Sequence, residues 1–252
     1  MKLSVCVITL NEETHLRRCL GSVAGFADEI VVVDSGSTDR TKEIAVGAGA
    51  RVISQPWLGF VGQKNFAIEQ AAHSWIFSID ADEEVSPGLS EEVEALKSGA
   101  KSAVPRWAGF SMPRCVLYEG RWIRHGDWYP DRLVRLFRKQ GARFVGGKVH
   151  ERLELSGEIR EMRGELFHYS FKDRLDHWQR CHTYARLWAE SAFDAGKRVG
   201  RLAGPSHAAF RWVRGYLLRG GFLDGAQGWH IARMSAAEVW LKYDLLRKMG
   251  RD

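Results

Sequence analysis

The chain has 252 residues, of which 45% are hydrophobic and 27% charged, and its formal net charge is +6. This length suits one large domain, or one and a half of ordinary size, and the composition excludes a disordered chain, a collagen-like chain and a disulfide-rich miniprotein. No apolar run approaches the roughly 20 residues that span a bilayer. The apolar start runs directly into Asn11-Glu12-Glu13 without a cleavage site, so we expect no signal peptide. Four scattered cysteines are typical of thiols in a cytoplasmic protein: Cys6, Cys19, Cys115 and Cys181.

The charge is divided unevenly along the chain. Residues 1–100 carry 8 Lys and Arg against 15 Asp and Glu, whereas residues 101–252 carry 29 against 16. An acidic half favours metal or sugar ligands, and a basic half favours an anionic partner such as phosphate, nucleic acid or a membrane surface. We find no recognised nucleic-acid motif, and the acidic first half opposes such binding, so we expect no nucleic-acid partner.

The first hundred residues alternate between strand and helix patterns. Buried, often β-branched runs predict strands at 2–10, 29–34, 51–54 and 75–79. Helical patterns lie between and after these strands. One begins at Asn11, one ends at 47–49, one covers 62–73, and one runs from Ser86 to Gly99. Asn11 and Ser86 are expected as N-caps, and the first helix has an apolar face of Leu16, Cys19, Leu20 and Val23. Strands separated by helices form βαβ units, so the sequence predicts an α/β fold with a mainly parallel central sheet.

The second part of the chain has mixed patterns and then helices. Strands are predicted at 133–138 and 166–170, with a loop or strand at 146–151. Helices are predicted at 172–195, 206–219 and 226–249. The sequence therefore predicts an α/β domain over residues 1–170 and a basic helical extension over residues 171–252.

Carboxylates follow three of the predicted strands. Glu12 follows the first strand, Asp34 ends the second, and Asp80 and Asp82 follow the fourth. In parallel sheets, ligands bind at the carboxyl ends of the strands. The alternative is that these acids only cap the helices that follow.

The sharpest motif is Asp80-Ala81-Asp82. Two carboxylates on the turn after a buried strand can hold Mg²⁺ or Mn²⁺ together with diphosphate oxygens. An alternative is a phosphatase in which the first Asp is the nucleophile, but such enzymes usually carry Thr or Val where this chain has Glu84. A non-catalytic sugar- or membrane-binding module is the other alternative. Dinucleotide-binding and Walker-type glycine motifs are absent from the sequence.

Three blocks of sequence resemble the family 2 glycosyltransferases with the GT-A fold: residues 5–13, residues 31–41 and residues 80–83. Two later blocks, residues 149–151 and 221–225, are similar to the small bacterial branch that adds a sugar, often glucose, to the lipopolysaccharide inner core. The resemblance implies a GT-A-like nucleotide-diphospho-sugar transferase fold. Residues 1–100 would be its nucleotide-sugar half and residues 101–170 its acceptor half.

The resemblance also implies roles for individual residues. Thr9, Leu10 and Glu12 would line the nucleoside pocket, Asp34 would bind uracil or ribose, and Lys64 would lie near the base and diphosphate. Asp80 would contact ribose or metal, Asp82 would bind the metal, and His168 would complete the metal site or be a core histidine. Glu151 stands where the family places its catalytic base, a position at which many members have Asp. The alternative for Glu151 is a salt bridge to Arg152 or another arginine.

The implied reaction is metal-dependent transfer of one sugar, with inversion, from UDP-glucose to a phosphorylated, lipid-linked inner-core saccharide. The metal, Mg²⁺ or Mn²⁺, would stabilise the leaving diphosphate, and a carboxylate, ionised at pH 7, would take the proton of the attacking hydroxyl. Processive members carry Gln-x-x-Arg-Trp, whereas here His207 precedes Phe210-Arg211-Trp212. Another lipid-linked glycan or a protein is the alternative acceptor, and the fold also hosts retaining enzymes.

The basic C-terminal part contains an amphipathic helical pattern. Its apolar stripe comprises Ala209, Phe210, Val213, Tyr216 and Leu217, interleaved with Arg211, Arg214 and Arg219. Either the helix lies on an anionic membrane surface, or the stripe packs on the core and the arginines face water. Charge alone suggests that Arg121, Arg124, Arg132 and Arg135 contact acceptor phosphates. We expect a cytoplasmic protein at the inner face of the cytoplasmic membrane.

Overall fold

The computed structural model describes residues 1–99, 107–146 and 151–250. The chain forms two compact units. The first comprises Met1–Arg114 and Asp131–His168, and the second comprises Cys115–Pro130 and Tyr169–Asp252. The predicted boundary near residue 170 stays a prediction. The second unit also takes residues 115–130, which the sequence analysis placed in the acceptor half.

The first unit contains four parallel strands: β1 (Leu3–Thr9), β2 (Glu29–Asp34), β3 (Arg51–Ser54) and β4 (Trp75–Asp80). Their order is β3-β2-β1-β4. Helices α1 (Leu16–Val23), α2 (Thr41–Gly47), α3 (Gly59–Gln70) and α4 (Pro87–Ser98) connect or follow them. Every strand and helix predicted in this part is present. Ser86 caps α4 as predicted, because its hydroxyl accepts a hydrogen bond from the Leu89 amide at 3.3 Å.

Helix α1 begins later than the sequence predicts. Its N-cap is His15, so the expectation for Asn11 is wrong. Asn11 instead adopts a left-handed backbone conformation, and its side-chain oxygen accepts a hydrogen bond from the Thr38 amide at 2.9 Å. Asn11 therefore ties the loop after β1 to the loop after β2. The predicted apolar face of α1 is buried in full.

Beyond β4 the sheet becomes largely antiparallel. It continues through β8 (Asp131–Arg138), β6 (Trp107–Tyr118), β12 (Leu166–His168) and β5 (Glu83–Val85). Two strands, β9 (Arg143–Gly146) and β10 (Glu151–Glu154), form a separate antiparallel pair, and β11 (Glu158–Glu161) pairs with β6. The α/β fold class is confirmed, with a mixed sheet. The sequence did not predict strand β6, because Gly109, Ser111 and Pro113 interrupt its apolar pattern.

The core lies on both faces of the parallel strands. Leu3, Val5 and Val7 pack in the cluster that contains α1, whereas Cys6 packs in the cluster that contains the apolar side of α3. This alternation is the period of two expected of a strand covered on both faces. Fully burying one such aliphatic side chain contributes about 1.5–3 kcal/mol. The packing therefore fixes the carboxyl ends of β1, β2 and β4 at one edge. All four cysteines are buried thiols.

The second unit is mostly helical. It contains α5 (Arg174–Asp194), α6 (Ala203–Trp212), a π-helical continuation over Val213–Leu218, a short turn over Gly221–Asp224, and α7 (Gly225–Met249). Strand β7 (Arg121–Ile123) pairs with the end of β6. The predicted helices at 172–195 and 226–249 are confirmed. Helix 206–219 is present but changes to π-helical winding at Val213. Across the described ranges, no helix combines the length and the apolarity that crossing a membrane requires.

Candidate active site

The carboxyl ends of β1, β2 and β4 bring several predicted site residues together. Thr9 pairs with Asp34 across β1 and β2, and Ile8 pairs with Asp80 across β1 and β4. The Thr9 hydroxyl donates to the Asp34 carboxylate at 3.2 Å. The parallel register therefore places Asp34 and Asp80 on either side of the end of β1, at the edge where α/β sheets bind ligands.

Asp34 is fully buried and orders the loop that follows it. Its carboxylate accepts the backbone amides of Gly36 at 3.1 Å and Ser37 at 3.0 Å, and it also accepts the hydroxyl groups of Thr9 and Ser37. Four donors satisfy both carboxylate oxygens. In the structure Asp34 therefore shapes the loop, and its contact with uracil or ribose stays a prediction.

Leu10 and Glu12 lie on the loop after β1. The Leu10 side chain is exposed, and Glu12 is half-buried. The Glu12 amide donates to the Thr41 hydroxyl at 2.7 Å, and its carbonyl accepts the Leu16 amide at 2.9 Å, which starts α1. Both residues thus border the same edge as Asp34 and Asp80, where the sequence places the nucleoside pocket.

Lys64 joins residues that are far apart in the sequence. It projects from α3, its side chain is only 3% exposed, and its ammonium lies 2.8 Å from Asp80 Oδ1 and 2.9 Å from Glu151 Oε1. A buried cation is retained only when carboxylates or other acceptors compensate it. Lys64 therefore holds the predicted base and the first acid of the Asp-x-Asp motif on one ammonium.

The neighbours of Lys64 on α3 hold the surrounding elements in place. Asn65 exchanges two hydrogen bonds with the backbone of Phe144 in β9, at 2.9 and 2.8 Å. Gln63 is buried and donates to the Ser35 hydroxyl at 3.0 Å. Because β9 pairs with β10, which begins at Glu151, the two hydrogen bonds of Asn65 also position Glu151. Sequence reasoning missed Gln63 and Asn65. The signal was three consecutive polar residues in a helix that packs on the sheet.

Asp80 lies between two cations. Its Oδ2 accepts from the Arg135 guanidinium at 2.6 Å, while Oδ1 faces Lys64. Burial opposes ionisation of Asp80, but the charges and hydrogen bonds of Arg135 and Lys64 outweigh burial and hold its pKa well below the usual range. Asp80 is therefore a carboxylate at neutral pH.

Arg135 and Glu83 extend this arrangement inward. Arg135 is 5% exposed and also donates to the fully buried Glu83 at 2.6 Å. Glu83 in turn accepts the Asp80 amide at 3.1 Å and faces Arg114 at 3.5 Å. We call the alternating set Arg114, Glu83, Arg135, Asp80, Lys64 and Glu151 the charge network. The expectation that Arg135 contacts acceptor phosphates is wrong, because its guanidinium is committed to these buried carboxylates.

The sequence contains a signal for the burial of Arg135, although charge alone suggested a contact with acceptor phosphates. Arg135 lies in β8 between Val134 and Leu136, and an arginine within an apolar strand indicates a buried, paired cation. The neighbouring Arg132 is different. It donates to the Met162 carbonyl at 3.2 Å and lies 3.3 Å from the exposed carboxylate of Glu161.

Asp82 and His168 form a pair beside the network. Nε2 of His168 lies 3.2 Å from Asp82 Oδ2, and His168 is held by antiparallel pairing of β12 with β5. Burial raises the pKa of Asp82, but the hydrogen bond from His168 outweighs it, so the pKa is lowered. Among the described residues, Nδ1 of His168 is buried without a hydrogen-bond partner. A core histidine would normally have both nitrogens satisfied.

The residues present fit a divalent metal only in part. Within the described residues there is no group of three His, Cys, Asp or Glu side chains arranged to hold a metal ion. Asp82 and His168 supply two donors, whereas both oxygens of Asp80 face cations. Mg²⁺ is commonly bound by one or two protein ligands together with substrate phosphates and water. Asp82 and His168 therefore fit a metal that a nucleotide diphosphate helps to bind.

Glu151 begins β10, and its side chain is half-buried. Burial raises its pKa, but the charge and hydrogen bond of Lys64 outweigh burial and lower it. Arg152 does not supply the salt bridge considered for Glu151, since it pairs with Glu154 at 2.9 Å. The adjoining motif residues Val149 and His150 lie outside the described residues.

Comparison with known proteins identifies the family. The sequence matches Glycosyl transferase family 2 over residues 4–187. It is 30% identical to the lipopolysaccharide core biosynthesis glycosyltransferase LpsC of Rhizobium meliloti, an alignment that covers 100% of this chain and 97% of LpsC. It is 28% identical to an uncharacterized glycosyltransferase of Rickettsia typhi, over 99% of this chain and 88% of the relative.

Among solved structures, the chain is similar to residues 1–349 of TarS from S. aureus in complex with UDP. The identity is 14%, the TM-score is 0.48, and the match covers 100% of this chain and 91% of that one. The family match covers most of the first unit and extends into α5. The mixed sheet and C-terminal helices agree with the GT-A-like fold that the sequence resemblance implied. The chain therefore belongs to glycosyltransferase family 2 and is a transferase.

Proposed function

We propose that this protein transfers one glucose, with inversion, from UDP-glucose to a hydroxyl of a lipopolysaccharide inner-core saccharide, with Mg²⁺ or Mn²⁺ as cofactor. Family membership and the similarity to LpsC over the whole chain support glycosyl transfer to a lipopolysaccharide core. The observation that carries the site assignment is the Lys64 ammonium, which lies within 2.9 Å of both Asp80 and Glu151. A lipid-linked acceptor would place the reaction at the cytoplasmic face of the inner membrane.

The donor side of the site would be formed by Asp80, Asp82, Lys64 and His168. Asp82 and His168 would hold the metal, which stabilises the leaving diphosphate as a Lewis acid when it is bound. The Lys64 ammonium has three N–H donors, of which Asp80 and Glu151 use two. The third would donate to a diphosphate oxygen. Thr9, Leu10, Glu12 and Asp34 would border the nucleoside at the ends of β1 and β2.

Glu151 would act as the general base. Its lowered pKa means that it is ionised at neutral pH and can accept the proton of the attacking hydroxyl. The ion pair with Lys64 orients the carboxylate, and a diphosphate near Lys64 would compete for that ammonium and increase the proton affinity of Glu151. Attack on the face opposite the diphosphate inverts the anomeric centre.

The phosphatase alternative is not supported. A nucleophilic aspartate needs a free carboxylate oxygen aimed at the phosphorus, and Asp80 has both oxygens in ion pairs. A different acceptor, either another lipid-linked glycan or a protein, stays the alternative within the family.

Calorimetric titration of the purified chain with UDP and with GDP tests the donor site first. Titrations are run with Mn²⁺, with Mg²⁺ and with EDTA, on the wild type and on Asp82→Asn. We expect UDP binding that requires metal and weakens about 10–100-fold in Asp82→Asn, the range seen when a metal site loses a supporting group. Glu43→Gln, a change in an exposed carboxylate of α2 that pairs with Arg40 at the surface, is the matched control.

Transfer is then measured with UDP-glucose and truncated inner-core acceptors, with the anomeric configuration of the product read by NMR. Metal-dependent UDP binding with a β-linked product supports the whole proposal. Absence of nucleotide binding under every metal condition contradicts the donor assignment. An α-linked product contradicts inversion while leaving the donor site intact.

A further inference from the structure

The second unit exposes six large apolar side chains within residues 210–223. On α6 and its π-helical continuation, Phe210, Val213 and Leu217 are exposed at helical spacing. Leu218, Phe222 and Leu223 extend the set around the following turn, and the exposed fraction is 60% for Phe210 and 73% for Leu218. We call these six residues the apolar face. Monomeric proteins rarely leave such a patch open unless it binds a partner or a membrane.

The orientation of this helix distinguishes the two alternatives predicted from the sequence: a stripe that lies on a membrane and a stripe that packs on the core. Ala209, Phe210, Val213 and Leu217 of the predicted stripe are exposed, and only Tyr216 is half-buried. The alternative in which the stripe packs on the core is therefore wrong.

The helix is held by its other side. Gly215 is buried against Asp127, and a side chain at that position would come within 3.0 Å of its carboxylate. Trp212 and Tyr216 pack on Trp229 of α7, with ring centroids 5.6 and 5.1 Å apart. Small and aromatic residues thus fasten the helix and leave the apolar face outward.

Positive charge lies directly beside the apolar face. The carboxylate of Asp127, only 4% exposed, lies 3.0 Å from Arg211, 3.0 Å from Arg214 and 3.2 Å from Arg219. The negative charge of Glu238 also attracts Arg211, but Glu238 is itself paired with Lys242 at 2.5 Å. One carboxylate therefore faces three arginines, whose side chains are 32%, 34% and 53% exposed, and the cluster keeps a positive surplus.

We propose that the apolar face inserts into the surface of an anionic lipid bilayer while Arg211, Arg214 and Arg219 contact the lipid headgroups. Amphipathic helices with this combination lie in the membrane interface, and tryptophan and arginine favour that depth. A second copy of the chain is the weaker candidate, because a two-fold contact would bring two positive clusters together. Free phosphorylated saccharide would leave the apolar face unused.

This inference goes beyond the proposed function, since vesicle binding requires neither donor nor acceptor. Co-sedimentation of the full chain with vesicles of phosphatidylcholine, with and without phosphatidylglycerol, tests it. A basic side chain at an anionic surface contributes about fivefold to binding. We expect at least about tenfold stronger binding to the anionic vesicles, decreasing with salt.

Two sets of variants separate the apolar and the charged contributions. The triple variant Phe210→Ser, Leu217→Ser, Leu218→Ser should lose about tenfold or more in vesicle binding. Arg219→Gln, which removes the most exposed guanidinium of the cluster, should lose about fivefold on anionic vesicles only. Val46→Ser on α2 and Leu175→Ser on α5 replace equally exposed apolar side chains elsewhere and should leave binding unchanged.

Each variant is checked for its melting temperature, UDP binding and mass in solution by light scattering. Absence of wild-type binding to anionic vesicles overturns the proposal, as does equal loss in the control variants. A wild-type dimer that the triple variant converts to a monomer assigns the face to a second copy and also overturns it. Loss of UDP binding with intact vesicle binding instead identifies a failure of the proposed function.

Discussion

Both units bury charged side chains, but they compensate them differently. In the first unit, the charge network alternates in sign through Arg114, Glu83, Arg135, Asp80, Lys64 and Glu151, with successive contacts of 2.6–3.5 Å. Its three cations meet these three carboxylates, and Arg114 also pairs with the exposed carboxylate of Asp131 at 2.6 Å. In the second unit, Asp127 alone faces three arginines. A balanced, buried set of charges holds a site in one geometry, whereas a surplus near the surface is available to an anionic partner.

Loss of the carboxylate at the end of the network should have the largest effect on activity. Glu151→Gln keeps the shape of the side chain but removes its ability to take a proton, so we expect kcat to fall about 10²–10⁴-fold. UDP binding should persist, because the donor contacts remain. Initial-rate kinetics and calorimetry measure the two effects separately.

The matched control is Glu154→Gln, on the same strand and paired at the surface with Arg152. Its kcat should stay near that of the wild type. A Glu151→Gln enzyme with wild-type kcat would remove Glu151 from the role of base, and equal losses in both variants would point to a structural cause.

Removal of the central cation should have the largest effect on stability. Arg135→Met leaves the buried Glu83 and the half-buried Asp80 without their shared guanidinium, and breaking a buried pair in this way costs about 3–5 kcal/mol of unfolding free energy. Arg152→Gln, a change in an exposed arginine that pairs with Glu154 at the surface, should cost less than about 1 kcal/mol. Urea unfolding followed by circular dichroism measures both. A similar small loss in the two variants would mean that the network is not tightly coupled.

Acid should lower the unfolding free energy of the first unit, because three carboxylates of the site become protonated. The pKa values of Asp80, Glu151 and Asp82 are all lower in the folded chain than in the unfolded chain. A lowered folded pKa adds stability that is fully present above the unfolded value of about 4 and is lost as pH falls through the folded value. These groups therefore leave stability unchanged between neutral pH and about 5 and reduce it below about 4.

Lys64→Met sharpens this test. Without the ammonium, the folded pKa values of Asp80 and Glu151 should rise, so the acid-induced fall in stability should begin at higher pH. Urea midpoints measured across the acid range give the position of that fall. Arg40→Met, which removes a cation from an exposed surface pair, is the control and should not move it. An unshifted fall in Lys64→Met would contradict the assigned cause of the lowered pKa values.

The sequence predicted many of the regular elements and the motif residues, but not the contacts between elements that are distant in the chain. Strands β1 to β4 and the helices around them follow from apolar periodicity, Asp80 and Asp82 follow from the Asp-x-Asp motif, and Glu151 follows from the family resemblance. The charge network does not, because Arg135 and Glu83 meet only through the antiparallel pairing of β8 and β5 with distant strands. Local pattern likewise identified the stripe on α6, but which side of it faces outward depends on Gly215 and Trp229, residues whose packing no local pattern reveals.

The smallest effect on stability is expected at Asp127, where three arginines surround one carboxylate. Arg219→Gln removes one of three guanidinium groups from Asp127, and this one is 53% exposed. Arg211 and Arg214 still face the carboxylate at 3.0 Å, and repulsion among the arginines decreases. We expect the unfolding free energy to change by less than about 1 kcal/mol, in contrast to Arg135→Met. Urea unfolding followed by tryptophan fluorescence measures the change. A loss as large as that of Arg135→Met would mean that Asp127 needs all three arginines, and the cluster would then have no positive charge to offer a membrane.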